Sequence, residues 1–361
     1  MSKRENSITR REFISRGIRG FGLIGLGSAI GLTAGQFLRN TKDKKISNFE
    51  QMSNYDLSEF YTVDPALIQY KETGKIKPAF EQSERTEFQS LRGIAIDPDD
   101  RIYVATDKAI QVFSKDSTHL SEITLNASPR CLTIADDGSI YVGMKEHLEI
   151  YDAKGACKAN WESLGGNAVL TSIAIAENKV FVADAGNRSV LLYNSSGKLV
   201  RRIGKEEKDS NIPGFVVPSP YFDLAVAPDG LLKVANPGRH TIEAYTLDGD
   251  FEFAWGKTSM GIEGFCGCCN PVNFAVLPDG RFVTCEKGLP RVKIYGADGA
   301  FTAVVAGPEA FTENQKSCAP INELSSCQTG GLDVAVDSQG RVLVMDPVEK
   351  VVRIFTPIRK T

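Results

Sequence analysis

Ala227-Pro-Asp-Gly-Leu-Leu-Lys-Val234 is the stretch that decides the fold, because variants of it occur throughout the chain. It places Pro-Asp-Gly between two short apolar runs. Proline presets φ in such a turn and glycine tolerates a positive φ, so the stretch predicts a β-hairpin. Five further copies begin at Asp97, Ala135, Ala176, Leu277 and Asp337. Six hairpins of one kind are therefore predicted.

The hairpins recur at a period that fits one propeller blade. The residues before the second strand of each hairpin are Asp100, Gly138, Asn178, Gly230, Gly280 and Gly340, which lie 38, 40, 52, 50 and 60 residues apart. Such a period accommodates four short strands, and each repeat contains four apolar segments except the last, which ends after its third. We therefore predict an all-β chain forming a six-bladed β-propeller over residues 63–361.

The sixth repeat needs an outer strand from elsewhere in the chain. Leu67-Ile-Gln-Tyr70 and Lys75-Ile-Lys77 are both able to supply it, and the sequence does not choose between them. An N-terminal strand closing the last blade would also cover sheet edges that otherwise invite aggregation.

Two stretches carry a family resemblance. Asp184-Ala-Gly-Asn-Arg-Ser-Val-Leu-Leu-Tyr193 and Asn236-Pro-Gly-Arg-His-Thr-Ile-Glu-Ala-Tyr245 resemble the signature of NHL-repeat propellers, although Thr106 and Met144 replace the Asp or Asn in the first two repeats. The resemblance implies the fold but selects no function, since the family includes scaffolds, receptors, RNA-binding proteins and a few lyases.

The N-terminus predicts export. Thr9-Arg10-Arg11-Glu12-Phe13-Ile14-Ser15, followed by the uncharged residues 20–38, resembles a twin-arginine signal. We interpret residues 1–39 as this signal, which anchors the chain in the membrane through residues 20–38 if it is not cleaved. Residues 40–62 are interpreted as a tether. The resemblance implies that a folded protein crosses the cytoplasmic membrane to a periplasmic or other extracytoplasmic location.

The charge distribution excludes one class of partner. The formal net charge is −3, and residues 1–39 contain seven basic and two acidic residues, so the rest of the chain has a net charge of −8. A nucleic-acid partner would need a basic face. No nucleic acid is therefore expected to bind.

The most unusual stretch is Gly264-Phe-Cys-Gly-Cys-Cys-Asn-Pro271, which contains three thiols within four positions. Alignment of the repeats brings Cys285 to the same propeller face, together with Cys318 and Cys327 of the next connection. In one hypothesis Cys266, Cys268, Cys269 and Cys285 bind a metal, as copper or an iron–sulfur cluster, and Cys318 pairs with Cys327. In the other, all six form disulfides.

The same alignment places polar side chains at one mouth of the central channel: Asp223, Asn273, Glu286 and Asp333. We expect most Asp and Asn side chains there to bond to neighbouring loop amides. No catalytic constellation is visible, and His119, His147 and His240 fall on separate repeats, which argues against a multi-histidine lyase centre. Whether the protein is an enzyme stays open.

Two functions follow from these patterns. The first is an exported redox- or metal-handling accessory protein that works through a Cys-lined mouth on blades five and six, beside a membrane-associated protein or redox complex. The second is a metal-free protein-interaction scaffold with disulfide-braced loops.

Overall fold

The chain forms six four-stranded sheets. The computed structural model describes residues 60, 62–80, 90–204, 214–311 and 331–359, and within them it contains 24 β-strands and two short 3-10 turns, Pro65–Leu67 and Pro308–Ala310. Residues 1–59, which include the predicted signal and most of the predicted tether, lie outside the described part. No helix of the described part is long and apolar enough to cross a bilayer.

Each blade takes its strands from consecutive chain segments, apart from one N-terminal strand. That strand is β1 (Tyr70–Ile76). Blades one and two contain β2 (Gly93–Ile96), β3 (Ile102–Ala105), β4 (Ala109–Phe113), β5 (His119–Thr124), β6 (Cys131–Ile134), β7 (Ile140–Gly143), β8 (Leu148–Tyr151) and β9 (Cys157–Asn160). Blades three and four contain β10 (Leu170–Ala176), β11 (Lys179–Asp184), β12 (Ser189–Asn194), β13 (Leu199–Ile203), β14 (Leu224–Val226), β15 (Leu232–Asn236), β16 (Thr241–Tyr245) and β17 (Phe251–Trp255). Blades five and six contain β18 (Asn273–Val276), β19 (Phe282–Cys285), β20 (Val292–Tyr295), β21 (Phe301–Ala306), β22 (Asp333–Val336), β23 (Val342–Asp346) and β24 (Val351–Pro357).

The blades surround a central channel. In every sheet the strands are antiparallel. They follow chain order in five sheets, whereas the sixth has the order β1-β24-β23-β22. The first strand of each repeat is the innermost. The inner strands β2, β6, β10, β14, β18 and β22 each contact the next, and β22 contacts β2. The predicted six-bladed β-propeller is therefore confirmed.

An N-terminal strand completes the last blade. β1 pairs antiparallel with β24, from Tyr70 opposite Pro357 to Ile76 opposite Val352. The prediction of N-terminal closure is confirmed, and the strand joins the two candidate segments by taking the end of one and the start of the other. β24 is therefore hydrogen-bonded on both sides, to β23 and to β1, and is not an edge strand.

The hydrophobic core lies between adjacent blades. Six clusters of buried side chains each combine residues from two neighbouring sheets. The cluster between blades four and five is aromatic: Trp255 stacks near Phe282 at 5.0 Å between ring centroids, and Phe265 near Tyr295 at 5.4 Å. Phe265 belongs to the connection between these blades, so its burial fixes that connection against the sheets.

Candidate functional site

Three of the thiols lie on the connection from β17 to β18, residues 256–272, here named the thiol loop. Its first half folds back on itself, because the Phe265 N–H donates to the carbonyl of Lys257 (2.8 Å) and the Ser259 N–H to the carbonyl of Phe265 (3.0 Å). Gly267 has a φ of 77°, which disfavours any residue with a Cβ. The thiol loop is therefore an ordered turn with the cysteines in its second half.

A buried ion network lies under the thiol loop. The Glu286 carboxylate contacts Arg291 Nε at 2.6 Å and Lys293 Nζ at 3.0 Å, and all three side chains are at most 2 % exposed. The same carboxylate accepts a hydrogen bond from the Cys266 backbone N–H at 2.9 Å. Two cations share one anion, so the cluster needs further acceptors.

The thiol loop supplies those acceptors. Arg291 Nη1 donates to the carbonyl of Met260 at 3.1 Å, and Lys293 Nζ donates to the carbonyl of Ile262 at 3.1 Å. The Lys293 ammonium also lies 4.8 Å from the centre of the Phe265 ring. Because carbonyls that face inward from an irregular loop need donors, these cations hold the loop in one shape.

The pKa values of Lys293 and Glu286 are both lowered in the network, for different reasons. Burial lowers the pKa of Lys293 to about 8, against the attraction of Glu286. Burial alone would raise the pKa of Glu286, but the charges of Lys293 and Arg291 outweigh it and lower that pKa. At neutral pH the cluster therefore keeps its anion and both cations.

Asn270 fixes the other end of the cysteine segment. Its Nδ2 donates to the carbonyls of Cys266 (2.7 Å) and Lys287 (3.0 Å), and its Oδ1 accepts the Lys287 N–H (2.9 Å). Its own carbonyl lies 3.1 Å from His240 Nδ1. Backbone anchors therefore stand on both sides of Cys268 and Cys269.

The structure brings two of the four predicted metal ligands together. The Sγ atoms of Cys268 and Cys269 are 3.4 Å apart. Cys268 is exposed, whereas Cys269 is 3 % exposed. The vicinal thiol pair therefore consists of one exposed and one buried cysteine at the surface of the propeller.

The other two thiols are placed differently. Cys266 is buried beside Glu286, and burial raises the pKa of its thiol to about 12. Cys285 is fully buried within the apolar cluster between blades five and six, because alternation along β19 turns it into the core. The predicted four-thiol cluster is thus not formed, and no group of three or more His, Cys, Asp or Glu side chains in the described part is arranged to hold a metal ion. The described cysteines form no disulfide, and Cys318 and Cys327 lie outside the described residues.

Three of the four residues predicted at the channel mouth line the channel, which has a volume of about 290 Å³. They are Asp223, Asn273 and Asp333. Each bonds to the next blade or to its own strand: Asp223 Oδ2 accepts the Phe274 N–H at 2.7 Å, and Asn273 Nδ2 donates to the Leu332 carbonyl at 2.8 Å. These side chains therefore join inner strands across the blade boundaries.

The two channel aspartates have raised pKa values. Burial raises the pKa of Asp223 to about 6. Burial and, to a smaller extent, the charge of Asp223 raise the pKa of Asp333 to about 7. Asp333 is only partly covered, since it faces the channel, but it lies deep within the ring. The channel therefore contains two carboxyl groups whose pKa values are raised mainly by burial.

Glu286, the fourth predicted mouth residue, is absent from the channel lining and lies in the buried ion network. Its position at the end of a second strand explains this. Asp184 and Asn236 hold the equivalent positions, and each accepts a backbone N–H from the incoming connection, Val169 at 3.0 Å and Val216 at 2.9 Å. Side chains at this position therefore hold inter-blade connections in place.

A second cavity of about 350 Å³ opens at the same end of the channel and is lined by Tyr221, Asn273 and Asp333 among others. Lys287 Nζ lies 4.5 Å from the centre of the Tyr221 ring and donates to Ser219 Oγ at 3.1 Å. Burial raises the pKa of Tyr221, and the nearby Cys269 adds to this effect. Cys269 therefore lies near Tyr221, a residue that lines this cavity.

Several residues of the site were not predicted. The sequence analysis assigned no role to four of them: Arg291, Lys293, Asn270 and Tyr221. For Lys293 the sequence nevertheless contains a signal. In five of six repeats the third strand carries a polar residue two positions before its aromatic residue, and all five are buried: Gln111, Glu149, Glu243, Lys293 and Arg353. A charged residue that recurs at a core position indicates a buried partner.

Comparisons with known proteins extend to the fold alone. No family model matches the chain, and no curated protein matches its sequence. Among solved structures, virginiamycin B lyase from Staphylococcus aureus, a catalytically inactive variant with quinupristin, is similar at a TM-score of 0.53 and 15 % identity over 80 % of this chain and 99 % of the lyase. The WD40 propeller of Doa1 is similar at a TM-score of 0.50 and 16 % identity, over 80 % of this chain and 97 % of the Doa1 chain. The Pan2 WD40 domain of Neurospora crassa is similar at a TM-score of 0.53 and 11 % identity, over 83 % of this chain and 98 % of the Pan2 chain. The chain belongs to the class of six-bladed β-propellers.

Proposed function

We propose that this propeller, of NHL type, is an exported accessory protein that handles redox equivalents through the vicinal thiols Cys268 and Cys269. Its site of action is extracytoplasmic, and its partner is a membrane-associated protein or redox complex. The observation that carries the proposal is the 3.4 Å separation of the two sulfurs on a surface segment. Thiols at this distance need only a small displacement to form a disulfide of about 2.04 Å.

The support given to the thiol loop favours a working site over a passive turn. The chain buries Glu286, Arg291 and Lys293 beneath it, and such a buried ion network contributes little net stability compared with apolar residues of the same volume. Preorganising a reactive segment is a recurrent use of buried polar networks. The cost of burial is therefore understandable if the loop must present its thiols in one geometry.

If the protein handles a metal, the thiol loop offers two thiol ligands in place of the four that the sequence suggests. Cys268 and Cys269 can supply two soft thiolates, which suits copper(I) better than an iron–sulfur cluster with four cysteine ligands. Cys285 is enclosed by apolar side chains and does not fit as a ligand. Thiol chemistry without a metal needs no further residues, so we favour it.

A second candidate is a protein-interaction scaffold. It is favoured by the channel-mouth side chains, whose hydrogen bonds join blades and leave no recognisable catalytic set in the described part. In this case the thiols would be incidental to binding.

Metal analysis and thiol counting on protein exported through its own signal test the proposal. Equilibration in dithiothreitol redox buffers should convert Cys268 and Cys269 together between two thiols and one disulfide, as detected by alkylation and mass spectrometry. The double variant Cys268→Ser/Cys269→Ser should lose this transition, and Cys157→Ser, at an exposed site on blade two, should keep it. Protein that neither oxidises reversibly in the thiol loop nor contains metal would reject the proposal in favour of the scaffold.

A further inference from the structure

We infer that the two thiols have different roles: Cys268 exchanges with a disulfide or dithiol of a partner protein, and Cys269 resolves the resulting mixed disulfide. This inference rests on the proposed redox function. It assigns an order of events and a partner class to the site. The assignment follows from exposure, anchoring and the chemistry of neighbouring residues.

Exposure separates the two sulfurs. Cys268 is exposed, whereas Cys269 is 3 % exposed although its sulfur is only 3.4 Å away. Thiol–disulfide exchange requires access of one sulfur to another. A macromolecular disulfide can therefore reach Cys268, while Cys269 can reach only a sulfur already attached to the loop.

The anchors of the thiol loop keep the movement local. On one side of the pair the Cys266 N–H donates to Glu286, and on the other the Asn270 side chain is bonded to the backbone of Lys287, so the segment is held on both sides. Closing the sulfur distance then needs changes only between these anchors. Cys269 is thus held within reach of Cys268 throughout the exchange.

The third thiol of the segment takes no part. Cys266 is 4 % exposed and faces the Glu286 carboxylate, which disfavours a thiolate at this position. A thiol that stays protonated is a poor nucleophile. Cys266 therefore serves as backbone anchorage for the pair.

The exchange balances as follows. The Cys268 thiolate attacks a partner disulfide, a new S–S bond forms, the partner's S–S bond breaks, and one partner sulfur leaves as a thiolate that takes up a proton. Cys269, having lost its proton, then attacks Cys268 Sγ and releases the second partner sulfur. The partner disulfide is reduced to two thiols, and the pair loses two electrons to become a disulfide. The reverse sequence oxidises a partner dithiol.

Adjacency makes the oxidised pair reactive. Neighbouring Cα atoms are about 3.8 Å apart, which is below the usual range of about 4.4–6.8 Å for disulfides. A disulfide held outside its preferred geometry is reduced more easily than a structural one. The pair is therefore suited to cycling with a partner that itself carries a disulfide or dithiol.

The order of events can be tested with 5,5′-dithiobis(2-nitrobenzoate) as the disulfide. All proteins are full-length and carry Cys157→Ser, Cys318→Ser and Cys327→Ser, which removes the other accessible or undescribed thiols. With both thiols present, the loop should release two thionitrobenzoate molecules and retain no adduct. Cys269→Ser should release one and keep a stable adduct on Cys268. Cys268→Ser should react at least about tenfold more slowly, because its remaining thiol in the pair, Cys269, is buried.

The outcomes separate the role assignment from the redox function. An adduct that persists on Cys268 when Cys269 is present, or faster trapping on Cys269 than on Cys268, would overturn the assignment while reversible oxidation upholds the function. Absence of any exchange in the loop would reject both. Cys269→Ala provides a second trapping variant if Cys269→Ser does not fold, as judged by circular dichroism.

Discussion

Glu286 connects the buried cations of blade five to the backbone of the thiol loop. It contacts Arg291 and Lys293 and accepts the Cys266 N–H. Removing one member of such a network leaves the others as buried charges without compensation, which is far more damaging than losing a surface pair. The site should therefore depend on this one carboxylate.

Glu286→Gln keeps the volume and one acceptor but removes the anion. We expect the free energy of unfolding to fall by about 3–5 kcal/mol, measured by urea denaturation. The fall should be larger near pH 6 than near pH 9, because Lys293, whose pKa is lowered to about 8, can lose its proton at the higher pH.

Asp279→Asn is the matched control. Asp279 forms a surface pair with Arg281 at 2.8 Å in which both side chains are more than a third exposed. Exposed pairs contribute about 0–1 kcal/mol. Equal losses in the two variants would show that the network under the thiol loop is not coupled to stability.

The raised pKa of Asp333 predicts that the stability of the folded protein depends on pH. Its pKa is raised to about 7 in the folded state, so its favourable contribution is present below the unfolded value of 3.8 and is lost as pH rises through about 7. Asp333→Asn should flatten the decline in thermal stability between about pH 4 and pH 7, an effect on the order of a few kcal/mol.

Asp137→Asn should not change that decline. Asp137 is an exposed turn residue whose pKa is lowered by hydrogen bonds from Ser139, so its contribution is lost only as pH falls below about 4. A decline of unchanged slope in Asp333→Asn would contradict the raised pKa of Asp333 in the channel.

At the scale of elements, β1 determines whether the ring is closed. It pairs with β24 from Val352 to Pro357, and its own Tyr70 (6 % exposed) and Ile76 (3 % exposed) are buried. Without it, β24 would present unpaired N–H and carbonyl groups at an edge. The thiol loop, on blade five, depends on the same closed ring.

Deleting residues 1–80 should lower the melting temperature strongly, whereas deleting residues 1–62 should leave it nearly unchanged. Loss of two buried side chains at about 1.5–3 kcal/mol each, together with the strand pairing, corresponds to a decrease of roughly 10 °C or more. Differential scanning calorimetry measures both. Similar melting temperatures for the two truncations would contradict a closing role for β1.

At the scale of the whole molecule, we propose that the reactive thiol pair lies on a closed ring outside the cytoplasm. Oxidising compartments are where protein disulfides and their exchange partners are found. The twin-arginine resemblance of residues 9–15 supports this location. The propeller would then reach its compartment already folded, with the thiol loop in place.

Replacing Arg10 and Arg11 together by Lys should keep the protein in the cytoplasm. The paired arginines are the part of the resemblance that such a signal requires, and the change keeps the charge. Cell fractionation and immunoblotting measure the distribution, and replacing Lys3 and Arg4 by Gln, outside the motif, is the control. Unchanged export of the Lys variant would remove the argument for an extracytoplasmic role.

Sequence alone was enough to predict the architecture. Turn residues at a repeated spacing identify six hairpins, since turn chemistry acts locally and period-two burial follows from strand geometry. The missing outer strand also followed from the pattern, because the last repeat ends after Val351–Pro357. Neither inference needed contacts between distant residues.

Only the tertiary structure decided which thiols are neighbours. Cys266, Cys268, Cys269 and Cys285 align on one face by repeat position, but alternation along β19 turns Cys285 into the core and Glu286 holds Cys266 inward. Likewise, Glu286 aligns with channel residues yet faces two cations contributed by the following loop and strand. Position in a repeat sets where a backbone atom lies, whereas the direction of a side chain is set by the partners that compensate its burial.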